Sequence, residues 1–224
     1  MHFHIVTLFP KAFSSYLGES ILKRAIEDKK IKISFYNPRD FTENKWKRVD
    51  RPPYGGGPGL VIEALPVIKA IEFAIKKSKL APSTKSLAPK IIFLSPSGKQ
   101  FDNTYARKVS KSFKHVIIVC GRYEGVDARV KKVFKMDEVS VGPFVLTGGE
   151  LPAMIILDCL ARQVPGVLGN FNSVEERRIS SSEVYTRPEV FKYKGKSYRV
   201  PKVLLSGHQT KIDEWKKGKR GLTP

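Results

Sequence analysis

Cysteine is scarce in this 224-residue chain: Cys120 and Cys159 are the only two. They form no Cys-x-x-Cys and have no metal-ligand spacing. That excludes a disulfide-stapled scaffold and a thiolate metal site, and a reduced, cytoplasmic setting is expected. The four histidines (His2, His4, His115, His208) are spread over the chain, so neither a metal cluster nor a metal site is expected. No stretch approaches eighteen uninterrupted apolar residues, so a membrane span is not expected. The first ten residues, Met1 to Pro10, lack a basic leader and a cleavage site and read as a first strand. Acidic residues are also few. Against 41 Lys and Arg stand 21 Asp and Glu, a formal net charge of +20. Such a chain is attracted to polyanions. The alternative is a general lysine bias, since the lysines are spread throughout.

What is present is a repeated alternation of strand and helix. Strands are read at residues 1–9, Ile31 to Tyr36, Lys90 to Leu94 and His115 to Cys120. Helices are read at Phe13 to Asp28, Leu65 to Lys77, Asn103 to Phe113, Asp127 to Val133 and Leu151 to Gln163. Lys76 to Lys90 reads as a mobile linker rich in Lys, Ser, Pro and Ala. This order predicts an α/β fold, a mostly parallel sheet with helices on both faces.

Three strand ends carry loops of Ser, Pro and Gly: after Leu94, after Cys120, and over Val141 to Gly149. In a doubly wound sheet ligands lie beyond the carboxyl ends of strands, so these loops are the predicted pocket wall. The run Val139 to Leu146 is read as a buried strand or extended loop. It leads into Thr147-Gly148-Gly149, where backbone can approach a ligand closely. The double glycine is neither a Walker loop nor a Gly-x-Gly-x-x-Gly fingerprint, and taken alone it marks an ordinary turn. Asn37 to Pro58 is a long loop with cations, Trp46, Tyr54 and a glycine-rich tip. Its content suits a nucleic-acid backbone, and a surface excursion is the alternative. Beyond Arg162 the pattern becomes basic and poor in apolar periodicity, with a helix expected from His208 or Lys211 to Lys217. This tail has too little core to fold alone.

With these stretches assembled, the sequence resembles the bacterial tRNA (guanine-N1)-methyltransferase family, TrmD. The resemblance is carried by Thr7-Leu-Phe-Pro10, Arg48-Val-Asp50, Pro53-Tyr-Gly-Gly-Gly-Pro-Gly59, Leu94-Ser-Pro96 and Cys120-Gly-Arg-Tyr-Glu-Gly125. Val145-Leu-Thr-Gly-Gly-Glu-Leu-Pro-Ala-Met154, Ala161-Arg162, Pro165-Gly-Val-Leu-Gly169, Tyr185-Thr-Arg-Pro188 and Val203-Leu-Leu-Ser-Gly207 extend it to the last helix. It implies a trefoil knot on the C-terminal side of the first domain and S-adenosylmethionine as methyl donor. It also implies a homodimer sharing each active site between subunits, and tRNA methylated at N1 of the guanosine 3′ of the anticodon, position 37. The implied domains are a knotted donor-binding domain over 1–168, a linker over 169–187 and a small, mainly helical tRNA-binding domain over 188–224. Magnesium dependence is implied too, though no dedicated ligand cluster is seen.

The resemblance assigns donor binding to Leu94, Ser95, Pro96, Gly121, Val141, Gly142, Pro143, Phe144, Val145, Leu146, Gly148, Gly149 and Pro152. Pro143 and Phe144 stand where the family usually has aspartate and tyrosine, and Trp46 where it has histidine. Arg162 matches the arginine that stabilises charge at guanine O6; a helix-end arginine capping carbonyls is the alternative. Glu124 is assigned to the sulfonium, the donor's amino group or the guanine, with an ion pair to Arg122 or Arg129 as its alternative. The ungapped match puts Arg177 at the position of the catalytic acid residue. Arginine cannot accept a proton, and a shift of one makes Glu176 the base, with Glu175 or Glu183 behind it. Two other readings remain open at this point: a knotted RNA-binding protein with lost or weak methyl transfer, and a methyltransferase for another RNA.

Overall fold

The computed structural model describes residues 1–79, 88–169 and 181–219. The chain divides into two compact units, Met1–Leu168 and Gly169–Pro224. The first unit runs β1 (His2–Val6), α1 (Ser14–Leu17), α2 (Ser20–Glu27), β2 (Lys32–Tyr36), β3 (Asp50–Arg51), β4 (Val61–Ile62), α3 (Ala64–Lys79), β5 (Lys90–Gln100), α4 (Asn103–Ser112), β6 (His115–Val119), α5 (Val130–Val133), β7 (Asp137–Ser140) and α6 (Glu150–Ala161).

Five strands form one sheet in the order β2-β1-β6-β5-β7, and every neighbouring pair is parallel. A parallel sheet is buried on both faces, which is why its strands read as apolar runs such as Ile91 to Leu94 and Val116 to Val119. Alternation then sorts the side chains. Phe3, Ile5, Ile92, Leu94, Val116 and Ile118 pack with Leu22 of α2, Val109 of α4, and Ile156, Leu157 and Leu160 of α6. Val6, Ile91, Phe93, Ile117 and Val119 pack with Val67, Ala70, Ile71 and Ala74 of α3 and with Val130 of α5. Each large aliphatic side chain so buried contributes about 1.5–3 kcal/mol. A slip of one residue would exchange the two faces, and that cost sets the register.

Several expectations are corrected. The helix expected over Phe13 to Asp28 is broken into α1 and α2: Gly18 ends the first, its N–H donating to the Ser14 carbonyl, and Glu19 is extended. The expected linker begins too early, because α3 continues to Lys79; residues 80–87 lie outside the described residues. Strand β5 does not stop at Leu94. It continues to Gln100 past a register shift between Leu94 and Lys99 that loops out Ser95 to Gly98. Of the two readings of Val139 to Leu146, the loop holds beyond Ser140 and the buried strand does not. β7 ends at Ser140, and Val145 is 80% exposed. The histidines are not scattered in space either: parallel pairing of β1 with β6 sets His2 opposite His115, and His2, His4 and His115 form one group.

The second unit contains a hairpin, β8 (Val190–Tyr193) and β9 (Lys196–Arg199), then α7 (Lys202–Leu205) and α8 (Gln209–Gly218). Lys194 and Gly195 turn the hairpin with φ of +48° and +75°, the left-handed pair that a two-residue turn of matching twist requires. Helix α8 is the one expected from His208 or Lys211, whereas the hairpin is an addition to the helical expectation. Neither helix buries a residue fully.

Candidate active site

Three loops meet at the carboxyl edge of the sheet around an open cleft of about 270 Å³, at the small end of ligand sites. The first is the loop that β5 throws out: Leu94, Ser95 and Pro96 line the cleft, with Ser95 and Ser97 hydroxyls 2.9 Å apart. A Cβ on Gly98 would lie 2.5 Å from the Val139 backbone nitrogen, so glycine allows β5 to close against β7 beneath the loop. The second follows β6: Gly121, Arg122, Tyr123, Glu124 and Gly125 line the cleft. Tyr123 and Gly125 have φ of +58° and +119°, and the Glu124 N–H donates to the Leu60 carbonyl at 3.0 Å. The third is Val141 and Phe144 to Gly149, and Pro152 on the first turn of α6 completes the wall.

The second and third loops are tied together. Gly149 N–H donates to the Gly121 carbonyl at 2.8 Å, and a Cβ there would meet the Cys120 Cα at 2.7 Å. Only glycine lets the third loop pass this close to the end of β6. Beneath them sits Glu150, 3% exposed. Its Oε1 accepts from the Thr7 hydroxyl at 2.7 Å, and its Oε2 accepts from Arg122 Nε at 2.8 Å. The Arg122 guanidinium also lies over the Phe9 ring, 4.5 Å from its centroid. This clamp joins the end of β1, the loop after β6 and the start of α6. Cys120 is buried beside it. Burial and the Glu150 carboxylate push its thiol well up, against the opposing pull of Arg122, so it is an inert packing group.

Eleven of the thirteen residues assigned to donor binding line this cleft; Gly142 and Pro143 do not. The Gly142 backbone is instead held by Ser140, whose hydroxyl donates to the Gly142 carbonyl at 2.9 Å. Glu124 lines the cleft, and neither arginine named as its alternative partner is available. Arg122 is bound to Glu150, and Arg129 is bound to Asp127 at 2.6 Å. Among the described residues Glu124 has no ion pair, and its side chain packs over Gly59. Arg162 is elsewhere. It follows the last turn of α6 and lines a separate shallow hollow with Tyr16, Leu151, Ile155 and Asp158. Glu175, Glu176 and Arg177 lie outside the described residues. Glu183 accepts from Lys219 at 3.0 Å and from the Tyr185 hydroxyl at 3.0 Å. These hold its carboxyl below the usual range, Lys219 contributing first, which makes it a weak base. Sequence reasoning passed over the clamp of Thr7, Arg122 and Glu150. A carboxylate directly after two glycines at a helix start was its visible signal.

The chain matches the family described as tRNA (Guanine-1)-methyltransferase TrmD over residues 1–223. A tRNA (guanine-N(1)-)-methyltransferase of Clostridioides difficile (strain 630) is 42% identical over 221 residues, covering 97% of this chain and 91% of that protein. One from Alkaliphilus oremlandii (strain OhILAs) is 44% identical over 217 residues, covering 95% and 84%. The crystal structure of tRNA (m1G37) methyltransferase from Aquifex aeolicus is similar with a TM-score of 0.75 at 35% identity, over 96% of this chain and 87% of that one. The three-loop cleft and these likenesses over nearly the whole chain give one conclusion: the chain belongs to the tRNA (guanine-1)-methyltransferase TrmD family.

Proposed function

We propose that this chain transfers a methyl group from S-adenosylmethionine to N1 of the guanosine 3′ of the anticodon, position 37, in cytoplasmic tRNA. The observation that carries the reading is the convergence of three glycine-bearing loops on one cleft, in a member of this family. The cleft suits the donor. Its walls are apolar side chains and exposed backbone from Leu94 to Pro96, Gly121, Val141 and Phe144 to Gly149, with Glu124 as the carboxylate for a cationic sulfonium or ammonium. The trefoil knot belongs to this proposal, with the loops after β6 and β7 as its crossing segments.

Guanine N1 carries a proton at neutral pH and is a poor nucleophile. Methylating it requires a base for that proton and positive charge near O6. When bound, the donor supplies an activated methyl. The protein's part is to align N1, methyl and sulfur in line at close range. Guanine N1 bonds the methyl carbon as the carbon–sulfur bond breaks, and the N1 proton passes to a carboxylate. Glu176 is proposed as that base and Arg162 as the cation at O6.

Arg162 and the donor cleft line different cavities of one chain. A homodimer, in which a second copy supplies the missing side, accounts for this. Helix α6 supports it: Leu151 and Ile155 are exposed on an otherwise core-packed helix, and a helix apolar all round needs cover on both faces. The described residues do not assemble a magnesium site. The one group of three or more His, Cys, Asp or Glu among the described residues is all histidine, whereas magnesium takes oxygen ligands. The second unit supports tRNA binding. On one face of its hairpin, register brings together Phe191, Tyr193 and Tyr198, the Phe191 and Tyr198 rings stacked at 5.1 Å. Such rings stack on bases, and Lys192, Lys194 and Lys196 meet phosphates.

Methylation at N1 blocks the Watson–Crick edge, so reverse transcription of treated tRNA should arrest at position 37 and nowhere new. Arrest at another base would redirect the reading to a different RNA site. In Arg162→Ala, turnover should fall by at least about a hundredfold, the scale for losing one charge-stabilising group, with donor affinity kept. Normal turnover would remove its assigned role.

A further inference from the structure

The amino edge of the sheet, opposite the donor cleft, holds His2, His4 and His115. We infer that these three histidines form a binding site for a late first-row divalent cation of the zinc class. His2 and His4 are two apart on β1 and so project from one face. Parallel register places His115, the first residue of β6, directly opposite His2. One ligating nitrogen from each of the three lies within 4.8 Å of the others. The His4 Nε2 and His115 Nδ1 atoms are 3.1 Å apart. Two imidazole nitrogens sharing a tetrahedral zinc stand roughly 3.3 Å apart, given bonds of about 2.0–2.1 Å. The His4–His115 pair already stands near that separation, and His2 has at most 4.8 Å to close from.

The outer partners are also built. His4 Nδ1 is 2.8 Å from the Tyr36 hydroxyl, and His2 Nε2 is 2.9 Å from the Ser34 hydroxyl, both on β2. Orienting contacts of this kind fix the ring of a metal-bound histidine and leave its other nitrogen to the ion. His2 and His4 thereby keep Nδ1 and Nε2 respectively for a ligand. His4 is fully buried, while His2 and His115 are partly accessible and give a path from solvent. A nitrogen ligand must be neutral to bind, and Lys32 and the N-terminal ammonium are the cations nearby. Imidazole sets select zinc, copper, nickel or cobalt over magnesium and calcium. Three ligands leave a fourth position for water. The same cations, Lys32 and the N-terminus among them, oppose a second positive charge, so micromolar rather than nanomolar affinity is expected. The ion would staple β1 to β6 at the edge away from methyl transfer, with β2 joined through the Ser34 and Tyr36 hydroxyls.

The test uses untagged full-length protein stripped with chelator and titrated with Zn²⁺ by calorimetry, and with Co²⁺ by visible absorption. One ion per chain is expected, with the intense d–d bands of a four-coordinate cobalt site and a rise in Tm. His115→Ala and His2→Ala, both at partly exposed positions, should each weaken Zn²⁺ binding by at least about tenfold, as loss of even an outer-sphere partner does. Both variants should fold, as read by circular dichroism. His208→Ala should bind like the parent. The inference is overturned if no saturable binding occurs below millimolar Zn²⁺. It is equally overturned if binding survives in both His2 and His115 variants, which would assign the ion to another surface.

Discussion

Glu150 shows what one side chain holds together. Its carboxylate takes the Thr7 hydroxyl on one oxygen and Arg122 on the other, with almost no exposure. Breaking a buried pair leaves the partner's charge unmet, which costs about 3–5 kcal/mol. Because the Arg122 side chain is 25% exposed, the low end applies. Glu150→Ala should therefore lose about 3 kcal/mol in urea unfolding; a loss under about 1 kcal/mol, the range of a surface ion pair, would remove the clamp. Gly149 adds a steric argument. A methyl group there would press on the Cys120 backbone, which cannot yield as a flexible side chain can. Gly149→Ala should weaken S-adenosylmethionine binding by at least about tenfold, since a 1.4 kcal/mol change in the loop suffices. Unchanged affinity by calorimetry would mean that the two loops need not touch.

At the level of elements, β7 is the edge strand that launches the third loop, and it is fastened at its first residue. Asp137 binds Lys90 at the start of β5 and accepts from the Tyr105 hydroxyl of α4 at 2.9 Å. Burial pushes this carboxyl up, but the hydrogen bonds from Lys90 and Tyr105 outweigh it and leave it below the ordinary value of 3.8. A carboxyl held low in the folded state contributes stability above its unfolded value and loses it as pH falls through the folded one. Stability should therefore fall below about pH 4, and Asp137→Asn should flatten that part of the curve. The effect is modest because the side chain is 39% exposed. An unchanged acid limb in equilibrium unfolding would contradict the argument. Elements were largely legible in the sequence: the apolar runs of β5 and β6 and the spacing in α3 and α6 announce themselves. The departures came from pairings that sequence distance hides. Strand β5 keeps a partner beyond its looped-out Ser95 to Gly98 because β7 pairs on both sides of the bulge. His2 and His115 meet, far apart in sequence, only because β1 and β6 are parallel neighbours.

For the whole molecule, the three-loop cleft was readable because three similar loops follow three strands and an α/β sheet gathers such ends at one edge. The separation of Arg162 from that cleft was not, since helix spacing says nothing of which cavity a helix end reaches. Charge acts at this scale too. A net +20 makes tRNA affinity steeply dependent on salt. Replacing Lys192, Lys194 and Lys196 together by alanine should lower the slope of log K against log salt by about 0.7–0.9 for each phosphate that is no longer neutralised. An unaltered slope would take the hairpin out of the tRNA interface. The most direct test of the account is methyl transfer from labelled S-adenosylmethionine to two unmodified tRNA transcripts, one with guanosine 3′ of the anticodon and one with that base replaced. The account predicts label in the first and none in the second. Equal label in both, or none in either while the donor still binds, would contradict it.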